Sequence, residues 1–374
     1  MGPAPAERNA VSRRVFSKEF SGDEPSPPRR TGLIAALGSL VFVAFALVSL
    51  PGLNARADSA SPAEATTVIV VVGAAGEDEF RTNFIRQAEL WEGACALARC
   101  HRVTLGVQDP GGTNDYAALQ QTLAAEPNDG TTPLWLVLIG HGTFDGTEAK
   151  FNLRGPDVSS TELALWLKPF HRPLAVIDTA SASGPFLKTL SATNRVVITA
   201  TRSGHEQNFT RFGTYLAEAL TQPESDLDKD GQVSLLEAFL SAAHRVSEFY
   251  KAEGRLATEH ALIDDNGDGL GTPADWFRGS RPVKKPKETT AVDGAVAQQF
   301  HLIPGEADRQ LSTEQRTRRD ELVGAILQHR DRKAELAEDD YYRQLEKLLL
   351  ELAHLYTPVT NSPPAKPLSP LEAP

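Results

Sequence analysis

A histidine and a group of serines stand directly after apolar runs of the sequence, where their side chains could carry catalysis. His141 follows the run 133–139, and Ser181 follows the run 173–177. Short, continuous apolar runs are typical of parallel strands that are covered on both faces. Active residues in such sheets collect beyond the carboxyl ends of the strands. Because a serine hydroxyl needs a positioned base such as histidine, the two residues are a candidate nucleophilic pair.

The order of these elements resembles the caspase-like peptidases, nearest the legumain-type family and its bacterial relatives. In that family a His-Gly pair ends one strand and supplies the catalytic histidine, which corresponds to His141 here. An acid-Ala-Cys-x-Ser-Gly motif ends the next strand and supplies the thiol. Counted from the acid Asp178, the nucleophile position holds Ala180, and counted from Gly184 it holds Ser181. In both registers the catalytic cysteine is missing.

The resemblance covers roughly residues 67–277 and implies a caspase-like three-layer α/β sandwich with a mostly parallel sheet. Strands that alternate with helices along this part of the chain predict the same class of fold. Arg202, Ser203 and Glu206 follow the next apolar run. In the resembled family this region borders the pocket for the residue before the cut, which implies substrate or peptide recognition. The alternative for these three residues is a solvated loop.

An aspartate-rich segment, 226–237, has the spacing of a calcium-binding loop. Its aspartates stand at loop positions one, three and five, a glycine takes the sharp turn at position six, and a glutamate closes the loop at position twelve. Calcium binds about six to eight oxygens, and this spacing places them around one point. The alternative is an aspartate-rich turn that caps the following helix. The predicted ligands are Asp226, Asp228, Asp230, Gln232 (through its carbonyl) and Glu237.

A second candidate calcium loop covers residues 264–275. It keeps the acidic spacing and the glycine, but its last ligand is a shorter aspartate and Pro273 blocks a normal helix entry. The two loops are therefore predicted to be metal-binding loops on the α/β domain, and a paired EF-hand domain is not expected. The predicted ligands are Asp264, Asn266, Asp268 and Asp275.

Composition limits the partners and leaves open the state of the cysteines. Lys and Arg total 38 against 49 Asp and Glu, a net charge of −11, which argues against a general nucleic-acid binder. The two cysteines, Cys95 and Cys100, lie near the end of a predicted helix. They can form a local disulfide only if the helix ends between them and the chain is exported, and otherwise they are two buried thiols.

The segment 32–53 is uncharged, mostly apolar and flanked by arginines. About twenty apolar residues match the bilayer core, and the preceding arginines predict a cytoplasmic N-terminus. The segment is predicted to be a single-pass membrane anchor, and the alternative is a signal sequence cleaved after Ala57, which would leave the domain secreted or periplasmic. Both interpretations place the residues from Asp58 onward outside the cytoplasm.

The rest of the predicted organisation follows from composition and helix periodicity. A capping box at Ser312 and a leucine stripe from Leu345 to Leu355 predict two antiparallel helices that break near Glu338. The predicted order is a disordered cytoplasmic tail (1–31), the anchor or signal (32–53), a linker (54–66), the α/β domain with its calcium loops (67–280), a second linker (281–308), a helical hairpin (309–356) and a disordered Pro-rich tail (357–374).

Three functions are consistent with the sequence. The first is an inactive pseudopeptidase that binds a peptide or protein partner, since a site that uses a thiol nucleophile normally loses its activity when the thiol is absent. The second is an active hydrolase in which Ser181 acts with His141. The third is a calcium-stabilised surface protein that contacts its partner through the C-terminal hairpin. Whether the chain is an enzyme therefore stays open at this level.

Overall fold

A computed structural model describes residues 66–107, 114–287 and 292–357. The predicted cytoplasmic tail, the apolar segment 32–53, nearly all of the first linker and nearly all of the Pro-rich tail lie outside the described residues. Among the residues that are described, no helix combines the length and the apolar character needed to cross a membrane.

A mostly parallel sheet forms the centre of the described structure. It has seven strands in the order β10-β9-β8-β7-β3-β1-β2, in which β9 and β10 are antiparallel to their neighbours and the other pairs are parallel. A three-stranded sheet, β4-β5-β6, and a small hairpin, β11-β12, lie outside it. The strands are β1 (Thr67–Val72), β2 (His101–Leu105), β3 (Leu134–Ile139), β4 (Gly142–Phe144), β5 (Ala149–Phe151), β6 (Val158–Ser159), β7 (Leu174–Asp178), β8 (Arg195–Thr199), β9 (Leu262–Asp264), β10 (Thr272–Pro273), β11 (Phe277–Arg278) and β12 (Arg281–Pro282).

Helices cover both faces of the central sheet. Side chains alternate between the two faces along each strand, so that Val68 and Val70 meet one set of helices and Ile69 and Val71 meet the other. One buried cluster joins the sheet to α1, α5 and α6, and the second joins it to α2, α3 and α4. The helices are α1 (Asp78–Ala98), α2 (Asp115–Ala125), α3 (Ser160–Leu167), α4 (Gly184–Leu190), α5 (Phe212–Ala219), α6 (Leu235–Ala252), α7 (Glu306–Arg309), α8 (Thr313–Asp331) and α9 (Glu338–Leu355).

Burial on both faces explains why the central strands are continuous apolar runs. All six residues of β1 and all six of β3 are buried, since helices shield both sides. The fold is therefore a mixed α/β sandwich with a mostly parallel central sheet.

The segment 292–308, predicted to be a linker, packs into the core. Ala297, Phe300 and Leu302 are buried with α6 in the same cluster as the central sheet. The N–H of Leu235 donates to the carbonyl of Phe300 at 2.8 Å, which fixes this segment at the start of α6. A linker was predicted here because residues 281–287 are rich in Pro and Lys. The apolar residues that pack into the core come only after this stretch.

Two antiparallel helices, α8 and α9, form the predicted C-terminal hairpin. The capping box at Ser312 is present, with reciprocal bonds to Gln315, and α9 begins at Glu338 as the break predicts. Arg318 on α8 bonds Glu351 on α9 at 2.8 Å, and the buried His329 stacks on Tyr341. Gln299 reaches the carbonyl of Asp320, which links the hairpin to the rest of the structure.

Candidate functional site

Three neighbouring strands bring the predicted site residues to one edge of the sheet. The strands β3, β7 and β8 are adjacent and parallel, so their carboxyl ends lie side by side. His141 follows β3, the segment 179–184 follows β7, and the segment 200–206 follows β8. The site therefore lies where parallel α/β sheets usually carry their functional groups.

Ser181 is the side chain of the β7 segment that meets the His-Gly pair. Its Oγ accepts the N–H of Gly142 at 3.2 Å and lies 3.4 Å from the carbonyl of the same residue. A Cβ on Gly142 would stand 2.2 Å from the carbonyl oxygen of Ser181, so this close approach requires glycine. Ala180, by contrast, is buried in the apolar cluster that includes Phe186. This contact favours the register counted from Gly184.

His141 stands among aromatic side chains. Its ring meets Phe80 edge-on with centroids 4.6 Å apart and Phe84 at 5.1 Å. Burial lowers the pKa of the imidazole, while a hydrogen bond with the backbone of Ala75 opposes that shift. Burial therefore favours the neutral imidazole, which is the form that a general base needs. The hydroxyl of Ser181 bonds to the backbone of Gly142, and the His141 ring is not among its partners.

The segment after β7 is held from both sides by backbone contacts. Ala182 has a left-handed φ of 54° and donates its N–H to the carbonyl of Glu206 at 2.8 Å. Thr201 Oγ1 accepts the N–H of Gly184 at 2.9 Å and lies 3.1 Å from Ser183 Oγ. Ser181 and Ser183 are both buried, at 2% and 1% exposure. These contacts fix the segment so that none of its hydroxyls faces open solvent.

The three residues predicted for recognition form a connected group. Arg202 Nε lies 3.2 Å from Glu206 Oε1, and the Arg202 N–H donates to Glu206 Oε2 at 3.0 Å. The same carboxylate lies 2.5 Å from His260 Nδ1, a contact that the sequence analysis did not foresee. The carbonyl of Ser203 accepts a hydrogen bond from Thr201. The side chain of Arg202 is 60% exposed, which leaves its guanidinium open to a ligand beside the ion pair.

A groove of about 850 Å³ adjoins this group. It starts at Gly184 and Arg202 and is lined by Lys188, Lys284, Lys287 and the indole of Trp276. Positive side chains are thus concentrated beside the site in a chain whose net charge is −11. Such a surface attracts acidic segments by charge complementarity.

Asp178 is a buried carboxyl at the end of β7. It is 1% exposed, its Oδ1 accepts the N–H of Ala180 at 3.0 Å, and its Oδ2 has no hydrogen-bond partner. Burial raises the pKa of this carboxyl to about 7, and the Ala180 bond opposes the shift. In the sequence, Asp178 serves only as an anchor for aligning the nucleophile motif. Its burial follows from the pairing of β7 with a strand on each side.

The cysteines lie at the opposite edge of the sheet. The helix α1 leaves the carboxyl end of β1 and returns to the start of β2, where Cys95 and Cys100 stand next to His101. Its 21 residues span about 30 Å. Neither thiol can therefore reach His141.

The first predicted calcium loop has its acids together. Carboxylate oxygens of Asp226, Asp228 and Glu237 all lie within 4.8 Å of one another. Glu237 Oε1 accepts the N–H groups of Leu227 (2.7 Å) and Asp228 (3.1 Å), and its Oε2 accepts the N–H of Ser234 at 2.9 Å. These are loop positions two, three and nine. Glu237 thus closes the loop and caps α6 with the same carboxylate.

The remaining predicted ligands of the first loop contact the segment that precedes the hairpin. Asp230 accepts the N–H and the side-chain amide of Gln232. Gln232 Oε1 accepts the N–H of Gly305 at 3.0 Å, and Gln298 donates to Asp228 Oδ2 at 3.2 Å. The loop is therefore bonded directly to residues 298–305.

The second loop repeats the hydrogen-bond pattern of the first. Asp264 accepts the N–H groups of the third and fifth residues after it, at 3.0 and 2.7 Å, as Asp226 does at 2.6 and 3.1 Å. Asn266 and Asp268 each accept the N–H two residues later, as Asp228 and Asp230 do. The two loops share one sequence spacing, and the backbone of each makes the same set of turns.

A different acid from the predicted one closes the second loop. Asp275 is exposed in a short 3-10 helix. Asp293 Oδ1 accepts the N–H groups of Asp265 (3.0 Å) and Asn266 (3.3 Å), and its Oδ2 accepts the hydroxyl of Thr272 at 2.5 Å. These are again loop positions two, three and nine. Asp293, from outside the loop, occupies the place that Glu237 has in the first loop.

Comparisons with known proteins give likenesses of structure only. No protein-family model and no curated protein matches the chain. The structure is similar to the initiator caspase Dronc of Drosophila, with 13% identity over 56% of this chain and 81% of that chain at a TM-score of 0.35. It is also similar to caspase-1 of Spodoptera frugiperda, with 10% identity, 54% and 86% coverage and a TM-score of 0.36. A Geobacter sulfurreducens protein has 13% identity, 48% and 89% coverage and a TM-score of 0.33.

Proposed function

We propose that residues 67–277, together with the segment 292–305 that packs into their core, form a caspase-like domain that has lost covalent peptidase chemistry and binds peptide segments of a protein partner. The legumain-type resemblance of the sequence supports the proposed family, and the geometry at the strand ends supports the proposed loss of catalysis. The observation that carries the proposal is the contact between Ser181 and Gly142. The Ser181 side chain, which contacts Gly142, is a buried hydroxyl bonded to backbone, so the proposed place of the nucleophile holds no activated group.

The groove beside the site supports peptide binding as the remaining function. Its lysines and Arg202 favour an acidic segment, and Trp276 offers apolar contact area. Arg202 is held in place by Glu206, which in turn contacts His260. A positioned guanidinium can bind a carboxylate with two parallel hydrogen bonds. The partner that we propose is therefore an acidic, extended peptide segment.

Calcium at both loops is the second part of the proposal. The first loop would use Asp226, Asp228, Asp230, Gln232 and Glu237, with Gln232 contributing its carbonyl. In the second loop the donors are Asp264, Asn266 and Asp268, with Asp293 replacing Asp275 as the closing acid. Carboxylates and carbonyls are the oxygen donors that calcium prefers, and the first loop brings three carboxylates within 4.8 Å of one another. The second loop is included because it repeats the hydrogen-bond pattern of the first.

The location of the domain is the third part of the proposal. The segment 32–53 would anchor the chain with residues from Asp58 onward outside the cytoplasm, and cleavage after Ala57 would instead release them. Calcium is abundant there, so sites of roughly millimolar affinity would fill. N-terminal sequencing of the protein from membrane and soluble fractions distinguishes the anchor from the cleaved signal.

A binding assay and a covalent-probe assay together distinguish a peptide-binding protein from a peptidase. The purified protein should bind an acidic peptide library without cleaving it, and a serine-directed covalent probe should leave Ser181 unmodified. Lys188→Glu should weaken binding, while Lys168→Glu, an equal charge change at an exposed lysine outside the groove, should not. Turnover that disappears with Ser181→Ala would instead establish the hydrolase function.

A further inference from the structure

The only two cysteines of the chain meet at the C-terminal end of α1. The helix ends at Ala98, and Arg99 takes a left-handed φ of 55°. The N–H of Cys100 donates to the carbonyl of Cys95 at 3.2 Å, and the N–H of Arg99 donates to the carbonyl of Ala96 at 3.3 Å. This is the Schellman arrangement, in which the two residues at the positions of Cys95 and Cys100 commonly pack against each other.

The helix end places the thiols in a geometry that a continuous helix does not allow. Five residues along an α-helix are separated by about 7.5 Å of rise, which is beyond the reach of a disulfide. Here the left-handed residue turns the chain back, so that the backbone N–H of Cys100 returns to the carbonyl of Cys95 at 3.2 Å. The two thiols are close enough to shift each other's pKa, which falls for Cys100 and rises for Cys95. Cys95 is buried, whereas Cys100 is partly exposed.

We propose that Cys95 and Cys100 are a redox site that closes to an intramolecular disulfide when the protein meets a disulfide oxidant. The two residues are free thiols in the structure, so the site is described in its reduced state. The bond would join the last turn of α1 to the start of β2, at the sheet edge opposite His141. This inference is independent of the proposed peptide binding.

Cys100 is the thiol that reacts first. It is the more exposed of the two, and the hydrogen bond from Cys95 lowers its pKa, while the same bond and burial raise the pKa of Cys95. With oxidised glutathione, the Cys100 thiolate attacks one sulfur and releases one glutathione thiolate. The Cys95 sulfur then attacks Cys100 in the mixed disulfide, releases the second glutathione, and gives its proton to solvent. Two protein thiols lose two protons and two electrons, and the oxidant is reduced by the same two electrons.

Mass spectrometry of the full-length protein tests this site. After incubation with oxidised glutathione, the protein is blocked with iodoacetamide without reduction and digested. The peptide that contains both cysteines should be lighter than its reduced form by two hydrogens, and alkylatable thiols should fall from two to none. In denaturant, where the helix end is lost, resolution of the mixed disulfide should slow by at least about tenfold.

Cys95→Ser is the matched control. It retains the exposed thiol of Cys100 but removes the resolving thiol, so it should accumulate a single glutathione adduct that does not resolve. The inference is overturned if the unaltered protein retains two free thiols or carries two glutathione adducts under conditions that modify the control.

Discussion

At the scale of single residues, burial determines what the side chains at the strand ends can do. His141 is kept neutral by its aromatic surroundings, and the hydroxyl of Ser181 is bonded to a backbone amide. Asp178 carries a carboxyl oxygen with no partner in a buried position. The bonded hydroxyl and the missing thiol are the basis for the proposal that this site has no activated nucleophile.

Asp178 should make stability depend on pH in a particular direction. Burial raises the pKa of this carboxyl to about 7 in the folded state, whereas an aspartate in the unfolded chain has its ordinary pKa of about 3.9. Between these pH values the folded state therefore holds a proton that the unfolded state has lost. The free energy of unfolding therefore falls as pH rises through this window, by up to about 4 kcal/mol. Asp178→Asn keeps an acceptor for the Ala180 N–H and should remove most of this fall, measured by urea unfolding at constant calcium.

Asp157→Asn is the control for this prediction, because it removes an exposed carboxylate that also accepts a backbone N–H. It should leave the pH dependence as it is in the unaltered protein. Parallel curves for the unaltered protein and Asp178→Asn from pH 4 to pH 8 (roughly the window of the shift) would show that Asp178 is not the group responsible.

At the scale of elements, the two acidic loops hold one segment of the chain. The first loop bonds Gln298 through Asp228 and Gly305 through Gln232. In the second loop, Asp293 itself belongs to that segment, and Asp265 accepts the N–H groups of Gly294, Val296 and Ala297 at 2.8 Å. Calcium at these loops would therefore stabilise the packing of residues 293–305 as well as the loops.

Calcium should raise thermal stability through the first loop. For a site of roughly 1 mM affinity, about 10 mM calcium adds about 1.4 kcal/mol to the free energy of unfolding. Asp226→Asn removes the charge and one of the two oxygens that accept the N–H groups of Lys229 and Gly231, so it should reduce this gain. The control is Asp145→Asn in the β4–β5 turn, where the carboxylate also accepts two backbone N–H groups. A calcium gain that is equal in both variants would contradict the assignment.

The second loop gives a sharper choice between two acids. Asp293→Asn should lower calcium affinity in isothermal titration, because Asp293 takes the closing position. Asp275→Asn should change it little, because Asp275 is exposed and lies outside the set of contacts. The opposite ranking would restore Asp275 as the ligand.

At the scale of the whole molecule, the core extends beyond the last strand of the central sheet. Ending the chain after Phe277 removes Phe300 and Leu302 from the core and Asp293 from the second loop, so it should abolish cooperative unfolding. Ending it after Glu306 retains them and should leave a folded protein that lacks the hairpin. Thermal melts followed by circular dichroism separate the two truncations. A cooperative melt after truncation at Phe277 would show that segment 292–306 is dispensable.

Local pattern and long-range contact account for what the sequence could and could not predict. The strands β3, β7 and β8 were predicted because burial on both faces leaves continuous apolar runs, and the start of α8 because Ser312 opens a capping box. The role of Asp293 was missed because it lies 18 residues beyond Asp275 and joins the loop only through tertiary folding. The hydrogen bond between the Ser181 hydroxyl and the backbone of Gly142 was missed for the same reason, since the two residues lie 39 positions apart in the sequence.

The most direct test of the central claim is the pH–rate profile of alkylation for Ser181→Cys. The claim is that the ends of β3 and β7 form a caspase-like site that lacks only its thiol. A thiol at position 181 should then react with an apparent pKa below about 8.5, because His141 can take the thiol proton and the resulting imidazolium stabilises the thiolate. His141→Gln in that background, which keeps the bulk of the side chain, should return the pKa to the ordinary value and slow alkylation at neutral pH about tenfold. Identical profiles with and without His141 would contradict the claim.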